Sequence, residues 1–109
     1  MSTLPLPPLE SFVKRGGRYG AHNIHENLPG PASFRSDNLI VGTFFNGGVR
    51  AFDISNAYQP QEVAYYVPGA PKLSPKGSIQ INDVWVDENR LIYTVDRFAG
   101  GLYILEMDV

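Results

Sequence analysis

The sequence predicts an all-β protein, and two patterns carry that prediction. Stretches rich in β-branched and aromatic residues alternate with Gly, Pro and Asn clusters, as in "NLIVGTFFNGGVRAFDIS" at 38–55. Apolar residues do not recur at the three- and four-residue spacing of an amphipathic helix, and Pro and Gly interrupt much of the chain. We therefore expect strands and tight turns, with helix nearly absent.

The turn residues divide this pattern into strands. The Asn-Gly-Gly sequence at 46–48 favours the positive φ angles of a tight hairpin. Asp53, Ser55 and Asn56 follow a strand, where their side chains are expected to close a turn by bonding the backbone. The expected strands are 22–27, 38–45, 49–55, 61–67, 80–87, 90–96 and 102–108.

Composition limits the classes of function. The chain has 109 residues, 43% of them hydrophobic and 18% charged, with a formal net charge of -2, which is the range of one soluble domain. No extended Lys and Arg patch is present, so nucleic acid is not an expected partner. Cysteine is absent, which excludes disulfides and thiolate metal sites. Without a signal-peptide pattern or a bilayer-length apolar run, we expect a cytoplasmic protein with no membrane span.

The strand pattern occurs twice, so we expect two copies of one antiparallel, four-stranded unit. The aligned segments are 22–24 with 82–84, 38–40 with 90–92 and 46–49 with 99–102, at offsets of 60, 52 and 53 residues. The first unit is predicted at 22–67 and the second, with three strands, at 80–109, joined by a linker loop at 68–79. The extended arm at 1–21 is predicted to supply the missing outer strand, as in β-propellers that close their ring with the opposite chain end.

The segment 49–63 resembles a known repeat. An apolar strand ends in Asp53, a Ser-Asn turn follows, and Pro60 precedes the next strand at Val63, while Ala57 stands where Pro is more usual. This pattern, with "HNIHEN" and "GGLYILE", resembles the C-terminal repeats of the LVIVD-repeat family of β-propeller proteins. The resemblance implies about two propeller blades per chain and says little about activity.

Two blades cannot close a ring by themselves. Each blade of a propeller packs against neighbours on both faces, and "LIVGTFF" carries apolar residues on both faces of its strand. We therefore expect several copies to assemble as a homo-oligomeric ring. The alternative is that the chain is a fragment of a longer protein.

His22, His25 and Glu26 are the predicted metal ligands, because imidazole and carboxylate groups bind transition metals. On a strand, His22 and Glu26 share one face and His25 lies on the other, so several copies around an axis would have to share the ion. In the alternative interpretation both histidines satisfy backbone groups, and Glu26 pairs with a basic residue such as Arg18 or Arg35.

Asn23, Asn82 and Asp83 are the predicted ligand-binding residues, since they lie on the innermost strand of each unit. Asp87 and Glu88 extend the acidic stretch, but the spacing lacks the Gly-centred calcium loop of an EF-hand. Turn and capping roles are favoured over calcium binding for Asn82, Asp83, Asp87 and Glu88.

One basic, glycine-rich stretch, "KRGGRYG" at 14–20, invites a phosphate-cradling interpretation. It follows no strong strand and opens no helix, so a flexible linker is the favoured interpretation.

Taken together, these patterns predict a binding or interaction scaffold for a protein partner or a small ligand. The loops 28–38 and 68–78 are expected to present the binding surface. One alternative is a metal-dependent oxidase or hydrolase with a histidine site near the ring axis. Another is a structural subunit of a larger complex.

Overall fold

The computed structural model describes residues 16–28 and 30–109, which form strands and turns without any helix. The strands are β1 (Leu39–Thr43), β2 (Val49–Asp53), β3 (Gln61–Tyr66), β4 (Ile81–Val86), β5 (Leu91–Asp96) and β6 (Leu102–Glu106). They form two three-stranded antiparallel sheets, β1-β2-β3 and β4-β5-β6. The all-β prediction is therefore confirmed. Within the described ranges, no helix is long and apolar enough to cross a membrane.

The turn between β1 and β2 is the predicted hairpin. Phe44 N donates to Gly48 O at 2.8 Å, and Gly48 N donates to Phe45 O at 3.1 Å. Positive φ falls on Phe45 (52°) and Gly48 (78°), and not on Asn46. Phe45 is held in this conformation because its N and O both bond the backbone of Ile81, at 3.1 and 3.0 Å. This pair of bonds joins the first sheet to the second.

Side chains close the strand ends, as the turn residues predict. Ser55 N donates to Asp53 Oδ1 at 2.8 Å, and Tyr58 N donates to Asn56 Oδ1 at 3.1 Å. Asp87 Oδ1 accepts two backbone N–H groups of the following turn, each at 2.9 Å. These carboxylate and amide oxygens satisfy backbone donors that the sheet ladders leave free.

The predicted strand at 22–27 is not a continuous strand. Its backbone runs antiparallel beside β1 and donates two hydrogen bonds of 2.9 Å to that strand. The ladder is irregular at Asn23: its backbone O accepts Thr43 N at 2.9 Å, but its N donates to Thr43 Oγ1 and its Oδ1 accepts Ile24 N. Side-chain oxygens thus replace backbone partners, and the first sheet has three strands with an extended segment, 22–25, at its edge.

The two sheets pack face to face around one core, which consists of alternate residues from both. The apolar residues buried between the sheets are Val41, Val49, Ala51, Ile81, Val86, Ile92 and Met107, with Ala64 and Leu105 packed against them. Because side chains alternate along a strand, this contact uses one face of each sheet.

The other face of the second sheet is apolar as well, and we name it the outer face. Its apolar residues, brought into register by the β4-β5-β6 pairing, are Trp85, Leu91, Tyr93, Val95, Leu102 and Ile104, and Glu106 lies on the same face opposite Leu91. Leu102 and Ile104 are 58% and 56% exposed, and the rings of Trp85 and Tyr93 lie 5.7 Å apart. The predicted outer strand of the second unit, from the arm at 1–21, falls near Glu10, outside the described residues.

Candidate functional site

The innermost segments of the two predicted units meet in the structure. His22 Nδ1 bonds the backbone O of Asn82 at 2.8 Å, and Asn23 Nδ2 donates to Asp83 Oδ1 at 2.9 Å. Both pairs are separated by 60 residues, the offset that aligns the two copies in the sequence. We name these four residues the inner cluster. It contains all three predicted ligand-binding residues and one predicted metal ligand.

Asp83 is the negative centre of the inner cluster. The hydrogen bond from Asn23 is the largest cause that lowers the pKa of Asp83 below its ordinary range. Partial burial opposes this effect, while a 3.2 Å hydrogen bond from Asn82 and the positive charges of His22 and Arg97 add to it. The ionised carboxylate can only accept hydrogen bonds, so it orients the amide donors around it.

Asn82 carries an unusual polar group. Its Nδ2 donates to Asp83, but its Oδ1 is buried without a hydrogen-bond partner among the described residues. A buried acceptor that lacks a donor is costly and uncommon in folded proteins. The inner cluster is therefore a polar site with one acceptor still unsatisfied.

Replacing Asn23 with alanine is expected to raise the pKa of Asp83 toward its ordinary value, because the largest stabilising hydrogen bond is lost. A carboxyl whose pKa is lower in the folded than in the unfolded state stabilises the fold at pH values above its unfolded pKa. This stabilisation is lost as the pH falls through the folded pKa. The stability difference between the native chain and Asn23→Ala should thus shrink on acidification below about pH 4. An NMR titration of the Asp83 carboxyl measures the shift directly.

Asn27→Ala is the matched control for this titration. Asn27 lies on the same segment, but its side chain bonds the backbone of Ser36. An Asp83 pKa that moves equally in both variants would contradict the assigned cause.

His25 has both ring nitrogens engaged. Val86 N donates to Nδ1 at 3.1 Å, and Nε2 bonds Phe34 O at 2.8 Å. Since an amide N–H only donates and a carbonyl only accepts, the ring is neutral with its hydrogen on Nε2. Neither nitrogen keeps a lone pair directed at an ion. The geometry matches the alternative interpretation, in which the histidine satisfies backbone groups.

The structure does not bring His22, His25 and Glu26 together as one metal site. The described ranges hold no group of three or more His, Asp or Glu residues arranged to bind an ion. Because His22 Nδ1 bonds a carbonyl, that nitrogen carries a hydrogen, so Nε2 is the one ring nitrogen that could bind an ion. A metal shared by His22 residues from several copies remains a prediction.

The linker interpretation is wrong for the part of the basic glycine stretch that is described, 16–20. Gly16 O accepts Ser78 Oγ at 2.6 Å. Arg18 is held at both backbone groups, because its N donates to Gln80 Oε1 at 2.6 Å and its O accepts Gln80 Nε2 at 3.2 Å. These contacts fix Arg18 beside β4, a placement that the sequence pattern did not indicate.

Comparison of the chain with protein-family models, curated proteins and solved structures finds no match. The resemblance to the LVIVD-repeat family therefore stays a prediction from the sequence. Function has to be argued from the geometry of the surfaces and sites.

Proposed function

We propose that this chain is a β-propeller-type binding scaffold that assembles with further copies of itself into a closed ring. One observation carries the proposal. The outer face of the second sheet is exposed, whereas the equivalent face of the first sheet is covered by the second sheet. The chain thus contains one contact between successive units. It also exposes one face that the same kind of contact with another unit would cover.

The equivalence of the two faces follows from the repeat. The offset of 53 residues aligns Val49 with Leu102 and Ala51 with Ile104. Val49 and Ala51 are 4% and 3% exposed, while Leu102 and Ile104 are more than half exposed. Positions that are core in the first unit are therefore surface in the second. An apolar patch of this kind on a single sheet is typical of an interaction site.

A second copy of this chain is the occupant we infer for the outer face. Inside the chain, one face of the first sheet packs on the non-equivalent face of the second sheet. A contact between two different faces is heterologous. Heterologous contacts that repeat between copies close into a ring when the rotation between units allows it. On the far side of the first sheet, Ile24 and Tyr65 are 49% and 68% exposed, whereas Arg50 and Phe52 are buried, so the margin of that side is what another copy could contact.

Within such a ring, segment 22–25 and β4 would form the inner edge of each unit. The inner cluster, with its ionised Asp83 and the unsatisfied Asn82 oxygen, would then face the centre. Rigid scaffolds with polar groups at a shared opening suit ligand or partner recognition. This arrangement supports a binding function.

Native mass spectrometry of protein purified without chelators tests the assembly. We expect a closed multiple of the chain mass for the native protein and a monomer for Leu102→Glu, because an unpaired carboxylate buried in the contact costs several kcal/mol. Leu73→Glu is the matched control, since Leu73 is 85% exposed and lies outside the outer face. It should assemble normally.

Thermal melts establish that each variant is folded before its mass is interpreted. A folded native protein that stays monomeric at every concentration would overturn the proposal. Equal assembly of Leu102→Glu and the native chain would overturn the placement of the contact on the outer face. Extra mass fitting a transition metal would support the shared histidine site.

A further inference from the structure

Three cationic side chains converge on one open cleft where the first and second sheets meet. The cleft has a volume of about 610 Å³, which lies within the range of small-molecule sites. We name it the cationic cleft, and its lining residues are Gly17, Arg18, Lys76, Gln80, Arg97 and Phe98. The cations come from three separate segments, although the whole chain has a net charge of -2.

The guanidinium groups of Arg18 and Arg97 both lie near the ring of Phe45. Each guanidinium carbon lies 5.8 Å from the centroid of Phe45, while Lys76 Nζ lies 5.9 Å from the ring of Phe98. Such contacts offset part of the repulsion between like charges, but they add no negative charge. The cleft therefore remains strongly positive.

Within the described part of the chain, no carboxylate forms an ion pair with these cations. The ion pair found there joins Arg50 to Glu62 at 2.9 Å, away from the cleft. Asp96 precedes Arg97, but its oxygens accept backbone N–H groups: Oδ1 from Gln80 at 2.7 Å, and Oδ2 from Phe98 at 3.1 Å. Asp83 reduces the field of Arg97 from a distance, and its oxygens are bonded to the amides of the inner cluster.

Gln80 builds the floor of the cleft. It is 1% exposed, and its side chain bonds both backbone groups of Arg18. Its own carbonyl accepts Arg97 N at 2.8 Å. One buried residue thus fixes the backbones of both arginines, so that both side chains start from the edge of the same cleft.

We propose that the cationic cleft binds a small phosphorylated compound. Two arginines and a lysine supply more positive charge than one carboxylate would balance, and guanidinium groups match the oxygens of a phosphate with paired hydrogen bonds. Phe98 is 43% exposed beside Lys76, so an apolar or planar part of the ligand can pack there. The site is complete in one chain and does not depend on the proposed ring.

Isothermal titration of the full chain with inorganic pyrophosphate at low ionic strength tests this site. We expect saturable binding of one ligand per chain, weakened about tenfold or more in Arg18→Gln and in Arg97→Gln, because each loses a charge-assisted hydrogen bond. The Gln80 bonds use the backbone of Arg18 and Arg97, so both variants should keep the native melting temperature. Lys72→Gln removes a positive charge from the same loop as Lys76 without touching the cleft, and should bind normally.

The assignment fails if the native chain shows no saturable binding. It also fails if Lys72→Gln weakens binding as much as Arg97→Gln, since that result would indicate a general charge effect. Malonate binding as tightly as inorganic pyrophosphate would overturn the preference for phosphate. Because Leu102→Glu leaves the cleft intact, its titration separates failure of this site from failure of assembly.

Discussion

Gly48→Ala is expected to lower the free energy of unfolding by about 3 kcal/mol or more, because a left-handed backbone and an overpacked contact both act against the new methyl group. Gly48 has a φ of 78°, where residues with a Cβ are strained. A Cβ there would overlap the carbonyl oxygen of Tyr66 and lie 2.9 Å from Val67 Cα. Both neighbours are backbone, so neither can rotate away. Urea unfolding of the two proteins measures the loss.

Gly101→Ala separates the two contributions. Gly101 is the repeat equivalent of Gly48 at the offset of 53 residues, with a similar φ of 74°, but a Cβ there would meet nothing within 4 Å. Its alanine variant should lose about 1–2 kcal/mol, the cost of the left-handed conformation alone. Equal losses at both positions would show that the contact with Tyr66 contributes nothing.

The difference between these two glycines also bears on assembly. Gly48 is crowded because β3 pairs with β2, whereas β6 pairs within the described ranges only with β5. A strand docked on β6 would crowd that glycine as β3 crowds Gly48.

Local features of this fold were predictable from sequence. The hairpin glycines and the turn roles of Asp53, Asn56 and Asp87 depend on residues within a few positions, which a sequence displays directly. The repeat offset aligns the segments that carry Asn23 and Asp83, but their contact follows from the packing of the two sheets and was not predicted from the sequence.

The rest depends on where distant segments come to lie. Arg18, Lys76 and Arg97 are far apart in the sequence, and nothing local indicates that one buried glutamine would fix the two arginines. The basic glycine stretch was a visible signal, but its partner Gln80 lies 62 residues away. Likewise, residue type alone suggested a metal ligand at His25, because imidazole serves equally as a ligand or as a hydrogen-bonding bridge.

His25→Ala is expected to lower the free energy of unfolding by about 3 kcal/mol, because two backbone groups lose their partners where water has little access. The ring accepts Val86 N–H through Nδ1 and donates to Phe34 O through Nε2, and both partner residues are buried. The backbone N of His25 also donates to Val41 O, so this residue connects β1, β4 and the loop that precedes β1. Losing the ring should loosen the contact between the two sheets.

His22→Ala is the control for this change, because it removes the same ring from an exposed position on the same segment. Its ring makes one hydrogen bond, to the Asn82 carbonyl, so the loss should be about 1 kcal/mol. His25→Gln should recover part of the stability lost in alanine, since an amide both accepts and donates. Thermal and urea unfolding measure all three variants. If His25→Ala loses no more unfolding free energy than His22→Ala, or if His25→Gln restores none of it, the bridging role is wrong. His25 would then again be a candidate metal ligand.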